Sequence, residues 1–239
     1  MKNRLFTLPN FVTLCNLACG CGATVMALGG RVDVAFGLIA AAAVFDFADG
    51  LVARLTGQFS EIGKQLDSLA DMVSFGVAPS AVLFTIYGLS PALWGGGFLS
   101  GAFGWIVFGV ALFSALRLAR FNVDEEQREE FTGLPTPAAA LAIAALGWMW
   151  SRGELFASRE MIVAVAVVVS WLLVCPVRMF SLKFKGFGWR GNSLRYIFLA
   201  AAAGLLVVWG VGGVAAAIGG YVLIGVVQHF CCGRARNFA

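Results

Sequence analysis

Charge is scarce in this chain. Of its 239 residues, 13% are Asp, Glu, Lys or Arg and 60% are hydrophobic, with a mean hydropathy of +0.86. A soluble domain carries about 25% charged residues. No soluble core absorbs this much apolar surface, so the composition excludes an ordinary soluble globule and points to a polytopic membrane protein. Histidine is nearly lacking: His229 stands alone, which removes any Cys/His zinc pattern, and it is read as an interfacial residue. The six cysteines, Cys15, Cys19, Cys21, Cys175, Cys231 and Cys232, lie in or beside apolar runs and form no disulfide framework. They read as small packing residues, with Cys231 and Cys232 near enough to a membrane edge to be acylated. Internal repeats and low-complexity tails are lacking too. The N-terminus has a basic start and a long apolar stretch with no clear cleavage motif, so it is read as a retained first helix.

Long apolar runs fill the rest. Eight are long enough to span a bilayer, at about 8–29, 33–54, 64–87, 97–121, 135–151, 160–181, 195–211 and 213–231. A span needs ~20 residues, and ~17 suffice. Gly210, Gly212 and Gly213 leave only a minimal turn between the last two. The expected fold class is all-α, a transmembrane helix bundle with both termini inside. Loop charge supports the count: of the 17 basic residues, only Arg31, Arg152 and Arg159 fall on the side opposite the N-terminus. That asymmetry is what the positive-inside rule requires. The net charge of +4 is therefore ascribed to orientation and anionic lipid contact, and no nucleic acid partner is expected. Residues 182–195 form a basic, glycine-rich loop. They divide a core, 1–181, from a C-terminal hairpin segment, 182–239.

Against this background the segment FDFADGLVARLTGQFSEIGKQLDSLAD, residues 45–71, is out of place. It holds Asp46, Asp49, Asp67 and Asp71, four of the six aspartates in the chain. One charged Asp near the centre of a membrane helix costs about 3 kcal/mol, so four would cost on the order of 10 kcal/mol uncompensated. Asp46 and Asp49 are three apart and share a helix face; Asp67 and Asp71 are four apart and share another. Polar residues from Arg54 to Glu61 make the connection between the two helices. An antiparallel pair would bring four carboxylates into one pocket at the cytoplasmic end, where mutual repulsion calls for cations. Oxygen-only ligands suit Mg²⁺, Mn²⁺ or Ca²⁺. The small residues Gly50, Ala53 and Gly63 leave room for a diphosphate, and a two-metal site stabilises both oxygens of a displacement at phosphorus. Buried salt bridges to Arg54, Lys64, Arg117 and Arg120 are an alternative role for these acids, as is an ion or proton route in a transporter.

The full spacing, Asp46-x2-Asp49-Gly50-x2-Ala53-Arg54-x8-Gly63-x3-Asp67-x3-Asp71, resembles the signature of the CDP-alcohol phosphotransferase family, with every position filled. The resemblance covers about residues 8–181, the six-helix core. It implies transfer of a phosphatidyl or similar group from a CDP-linked donor to an alcohol, with release of CMP, in a homodimer. It also implies that Asp46, Asp49, Asp67 and Asp71 hold the divalent ions and that Asp71 is the base for the acceptor hydroxyl. Gly50, Ala53 and Gly63 would then shape the nucleotide pocket, and Arg54 would position the diphosphate. The flanking stretches LPNFVTLCNLACG (8–20), DSLADMVSFGVAPS (67–80), RLARFNV (117–123) and FTGLPTPAAA (131–140) resemble the bacterial and archaeal branch that forms phosphatidylserine. This points to CDP-diacylglycerol as donor and L-serine as acceptor, in a prokaryotic cytoplasmic (inner) membrane with the site facing the cytoplasm. Glycerol 3-phosphate or an inositol phosphate is the rival acceptor.

On that reading Arg117 and Arg120, three apart on one face, are candidates to hold the serine carboxylate. Anchoring that helix at the lipid headgroups is their alternative role. Asn122, Thr132 and Gly133 are candidate lining residues of the acceptor pocket. Thr13 and Asn16 on the first helix are expected to face the nucleotide, while Asn10 sits at that helix's start. Pro135 and Pro137 are expected to open the fifth helix.

Overall fold

The computed structural model describes residues 6–93, 102–123, 133–177 and 193–236. Among the described residues all regular secondary structure is helical, in eight stretches that correspond to the eight expected spans. We number the α-helices α1 Leu8–Leu28, α2 Val32–Thr56, α3 Glu61–Asp71, α4 Ala78–Leu89, α5 Gly109–Val123, α6 Thr136–Ser151, α7 Arg159–Val174, α8 Ser193–Trp209 and α9 Val211–Arg236. A π-helical turn, Met72–Val77, joins α3 to α4 without a break, and a 3₁₀ segment, Gly104–Phe108, leads into α5.

Five of these stretches, Leu8–Leu28, Val32–Thr56, Glu61–Leu89, Gly104–Val123 and Val211–Gln228, are long and apolar enough to cross a membrane. The chain is an integral membrane protein by this measure. Large apolar side chains such as Phe11, Val44, Phe47, Leu112 and Val207 are exposed on the helix surfaces, as lipid contact requires. Small residues take a large share of the interior, beside Phe75, Ile39 and Ile143: Ala23, Ala27, Ala35, Ala42, Ala78, Ala139, Ala140, Ala144 and Ala166 are fully buried. Between membrane helices there is no hydrophobic driving force, so close approach of small side chains supplies the packing.

The helix ends follow local chemistry. Thr7 caps α1, accepting from the Asn10 N–H, with Pro9 in the first turn. Gly57, at φ +64°, ends α2 in the left-handed conformation, and Ser60 caps α3 by accepting from the Gly63 N–H at 2.9 Å. Pro135 and Pro137 open α6 as expected. The minimal turn between α8 and α9 is a single Gly210 at φ +55°.

Two boundaries differ from the sequence expectation. The sixth span, expected over 160–181, ends as a helix at Val174. Pro176 explains this, because the residue before proline is driven out of the helical region, and Cys175 is extended at ψ 146°. The fourth, expected over 97–121, is helical from residue 102, and residues 94–101 lie outside the described set.

The first two helices form an antiparallel hairpin. Along its length α1 also packs against α3, the π-helical turn and α4. Helix α6 packs on α2, α4 and α9; α7 packs on α5; and α8 is held by α9. One end of the bundle gathers the start of α1, the end of α2, all of α3, the end of α5 and the start of α6. The other end is tied by Arg159, whose Nε donates to the Ser90 carbonyl at 3.0 Å and whose guanidinium lies over the Tyr87 ring.

Candidate active site

The four aspartates project from α2 and α3 at the first of these ends. Carboxylate oxygens of Asp46, Asp49 and Asp67 all lie within 4.8 Å of one another. Asp71, one turn beyond Asp67, is buried and lies within electrostatic range of the other three. The hairpin therefore converges the acids as the spacing predicts.

No Lys or Arg side chain among the described residues is recorded in a hydrogen bond to these carboxylates. Among the described residues the side-chain hydrogen-bond donors to these carboxylates are Thr13 and Asn16, both uncharged. Lys64 points elsewhere, donating from Nζ to the Asn122 carbonyl at 2.9 Å at the end of α5. Arg54 and Arg120 are exposed. Arg117 is half-buried within electrostatic range of Asp71, and its Nε has no hydrogen-bond partner. The salt-bridge role is thus not realised among the described residues.

The donor set fits a divalent cation. Three carboxylates crowd a space the size of a coordination sphere, and Asp67 Oδ1 is buried with no hydrogen-bond partner. A buried, unsatisfied carboxylate oxygen is costly, so such atoms have a reason to persist. Hard-cation coordination supplies one here. Next to the cluster, a methyl group built at Gly50 would meet nothing within 4 Å, so space is open on that side of α2. Gly63 is crowded instead: its Cβ would sit 3.0 Å from Asn10 Oδ1 and from Ser60 Oγ. Ala53 is half-buried on α2, between Gly50 and the exposed Arg54 in the last turn.

Sequence reasoning placed Thr13 and Asn16 on α1 but missed what they touch. Thr13 Oγ1 donates to Asp49 Oδ2 at 2.6 Å, and Asn16 Nδ2 donates to Asp71 Oδ1 at 3.1 Å. Both polar residues are buried. Behind them, Ser74 in the π-helical turn donates from Oγ to the Asn16 carbonyl at 3.0 Å. Gly20 allows this approach, because a Cβ there would overlap Ser74. On the opposite side of the turn, Gly76 brings Ala111 and Ser114 of α5 close. Small residues on both flanks thus clamp the turn that follows Asp71; π-turns inside helices recur at functional sites. The available signal was the run Thr13, Asn16, Gly20, spaced three and four apart on one face of α1.

The expected acceptor residues divide. Asn122 donates from Nδ2 to Ser68 Oγ at 2.8 Å, which fixes the end of α5 beside Asp67. Gly133, at φ +74°, donates its N–H to the Val177 carbonyl at 2.9 Å, and a Cβ would meet the Leu173 carbonyl at 2.7 Å. That glycine locks the start of α6 to the end of α7. Thr132 lies outside the described residues, as do the side chains of His229, Cys231 and Cys232.

Comparison with known proteins bears on this site. The family model for CDP-alcohol phosphatidyltransferase matches residues 6–175. A CDP-diacylglycerol–serine O-phosphatidyltransferase from Helicobacter pylori (strain ATCC 700392 / 26695) is 28% identical over 231 residues, 95% of this chain and 92% of its own. One of the same name from Mycobacterium leprae is 39% identical over 148 residues, 58% of this chain and 46% of its own, so the match spans about half of that relative's length. An archaetidylserine synthase from Methanothermobacter thermautotrophicus is 33% identical over 167 residues, 68% of this chain and 67% of its own.

Proposed function

Because the chain belongs to the CDP-alcohol phosphatidyltransferase family, we propose that it transfers the phosphatidyl group of CDP-diacylglycerol to the hydroxyl of L-serine, giving phosphatidylserine and CMP. The observation that carries the reading is the convergence of Asp46, Asp49 and Asp67 beside a buried Asp71. The choice of serine rests on the names of the Helicobacter, Mycobacterium and archaeal relatives.

In this reading Asp46, Asp49, Asp67 and Asp71 hold Mg²⁺ or Mn²⁺. Bound there, the ions supply charge stabilisation for the diphosphate and for the oxygens entering and leaving phosphorus. Arg54, at the mouth of the cluster, steers the diphosphate. The open side of α2 at Gly50 and Ala53, with Gly63 opposite, admits the nucleotide. Arg117 binds the serine carboxylate: its unpartnered Nε is a buried donor awaiting an acceptor. Arg120, exposed, attracts anions to the entrance. Asn122, Thr132 and Gly133 are assigned to acceptor binding on the sequence resemblance.

Asp71 takes the proton from the serine hydroxyl as its oxygen attacks the β-phosphorus. The new P–O bond to serine forms while the bond from that phosphorus to the CMP oxygen breaks, and CMP leaves with the electron pair. A positioned carboxylate contributes about 10²–10⁴-fold by such proton transfer. The enzyme works as a homodimer in a prokaryotic cytoplasmic membrane with this end of the bundle in the cytoplasm, a placement supported by the basic loops on that side.

Purified protein with CDP-diacylglycerol, Mn²⁺ or Mg²⁺, and a panel of serine, glycerol 3-phosphate and inositol phosphate tests the reading. CMP release that follows serine is expected. Release that ignores serine and follows another alcohol overturns the acceptor assignment, and metal flux in liposomes with no CMP from any alcohol overturns the enzyme.

A further inference from the structure

Asn16 is fully buried, and its amide is used at one end only. Nδ2 donates to Asp71 Oδ1, while Oδ1 is buried with no hydrogen-bond partner. The bond to a carboxylate fixes which end is nitrogen, because the opposite assignment would set two acceptors against each other. The backbone that carries the amide is held, because Ser74 Oγ donates to the Asn16 main-chain carbonyl and Ser74 is packed against Gly20. A buried, unsatisfied acceptor thus belongs to the same amide that bonds the carboxylate of Asp71. Buried acceptors are rarely left in this state, and one beside a reaction centre is matched by a donor that arrives with a ligand.

The proposed acceptor carries a suitable donor. A hydrogen bond from an ionised ammonium to a neutral amide oxygen is stronger than one from a neutral donor. Within serine the ammonium and the hydroxyl stand on adjacent carbons. A hydroxyl presented to Asp71 therefore brings the ammonium close to a group that touches Asp71. We propose that Asn16 serves two ends of the reaction: Nδ2 orients Asp71 as a positioning contact, and Oδ1 accepts a hydrogen bond from the ammonium of an amino-alcohol acceptor. This makes Asn16 a specificity-determining residue for acceptors bearing an amine next to the carbinol carbon. It rests on the proposed use of serine.

The test compares L-serine with 3-hydroxypropanoate, which keeps the hydroxyl and the carboxylate and lacks the amine. CMP release from CDP-diacylglycerol is measured for wild type, Asn16→Leu and Asn16→Asp, with thermal unfolding of each in detergent. Wild type should prefer serine by far more than tenfold in kcat/KM, because a site built to hydrogen-bond a substrate group rejects the analogue lacking it by up to about 10⁴–10⁵-fold. Asn16→Leu should lower kcat for serine and bring the two acceptors within about twofold. Asn16→Asp keeps an acceptor oxygen and loses the donor, so it should retain preference for serine while kcat falls. The second variant also decides the matter if Asn16→Leu does not fold. A folded Asn16→Leu that still prefers serine, or an Asn16→Asp that loses the preference, overturns the proposal. Wild type that ignores serine altogether refutes the proposed acceptor first, and is seen before any variant is compared.

Discussion

Thr13 on α1 and Asp49 on α2 are joined by a 2.6 Å hydrogen bond from Oγ1 to Oδ2, across 36 residues of sequence. The Pro9 carbonyl lies 3.1 Å from the same hydroxyl, but a hydroxyl has one proton and the carboxylate is the nearer, charged acceptor. The bond fixes the orientation of one member of the carboxylate cluster. Residues that orient ligands in this way are worth about 10–100-fold in metal affinity or activity. Thr13→Val keeps the shape and removes the donor. It is expected to raise the Mn²⁺ concentration for half-maximal turnover by that order, and an unchanged Mn²⁺ titration would show that Thr13 does not orient Asp49.

Divalent ions should stabilise the folded protein as well as activate it. The carboxylates of Asp46, Asp49 and Asp67 repel one another within 4.8 Å. An ion bound only by the folded state adds about 2.7 kcal/mol at a hundred times its Kd. Thermal unfolding in detergent should therefore shift upward with Mg²⁺ or Mn²⁺, and EDTA should reverse the shift and abolish CMP release. Asp67→Asn should lose most of the shift. A melting temperature indifferent to divalent ions in wild type would remove the metal site.

Asp71→Asn should fold and bind donor yet turn over poorly. The replacement is isosteric and cannot accept the hydroxyl proton, so kcat should drop by about 10²–10⁴-fold. Its melting temperature should stay near that of wild type in the absence of divalent ions. Turnover within a few-fold of wild type would take the base role from Asp71.

The two arginines of α5 should separate under the same substitution. Arg117 is half-buried with an unpartnered Nε, whereas Arg120 is exposed. Lysine lacks the planar fork that grips a carboxylate at two points. Arg117→Lys is expected to raise the KM for serine by about tenfold or more, equivalent to one charge-assisted bond of about 1.5–3 kcal/mol. Arg120→Lys should change it by less than about twofold. Equal effects from both would remove Arg117 as the carboxylate site.

Gly20→Ala tests the clamp. The added methyl would overlap Ser74, including its backbone, so α1 or the π-helical turn must move. Overpacking of this kind costs about 1–3 kcal/mol. A lower melting temperature and a lower kcat should appear together, because Ser74 holds the Asn16 carbonyl and Asn16 holds Asp71. Gly50→Ala is the control for stability alone: a Cβ there meets nothing within 4 Å and alanine is the better helix former, so the melting temperature should not fall.

The sequence by itself determined the membrane class, the eight helical stretches and the identity of the four acids. These are local properties. Hydropathy over about 20 residues sets a span, and the periodicity of a helix puts Asp46 with Asp49 and Asp67 with Asp71 on common faces. A π-helical turn after Asp71 was not legible, because no local preference in Met72–Val77 demands it; the clamp between Gly20 and Gly76 holds it there. Nor could spacing show that Thr13 and Asn16 are aimed at Asp49 and Asp71, or that Arg117 is half-buried between Tyr221 and Asp71 while Arg120 is exposed. Those relationships join helices 36 to 55 residues apart. Only tertiary structure decided them, because the rotation of one helix against another is set by which small residues let their backbones meet, and that is a property of the pair.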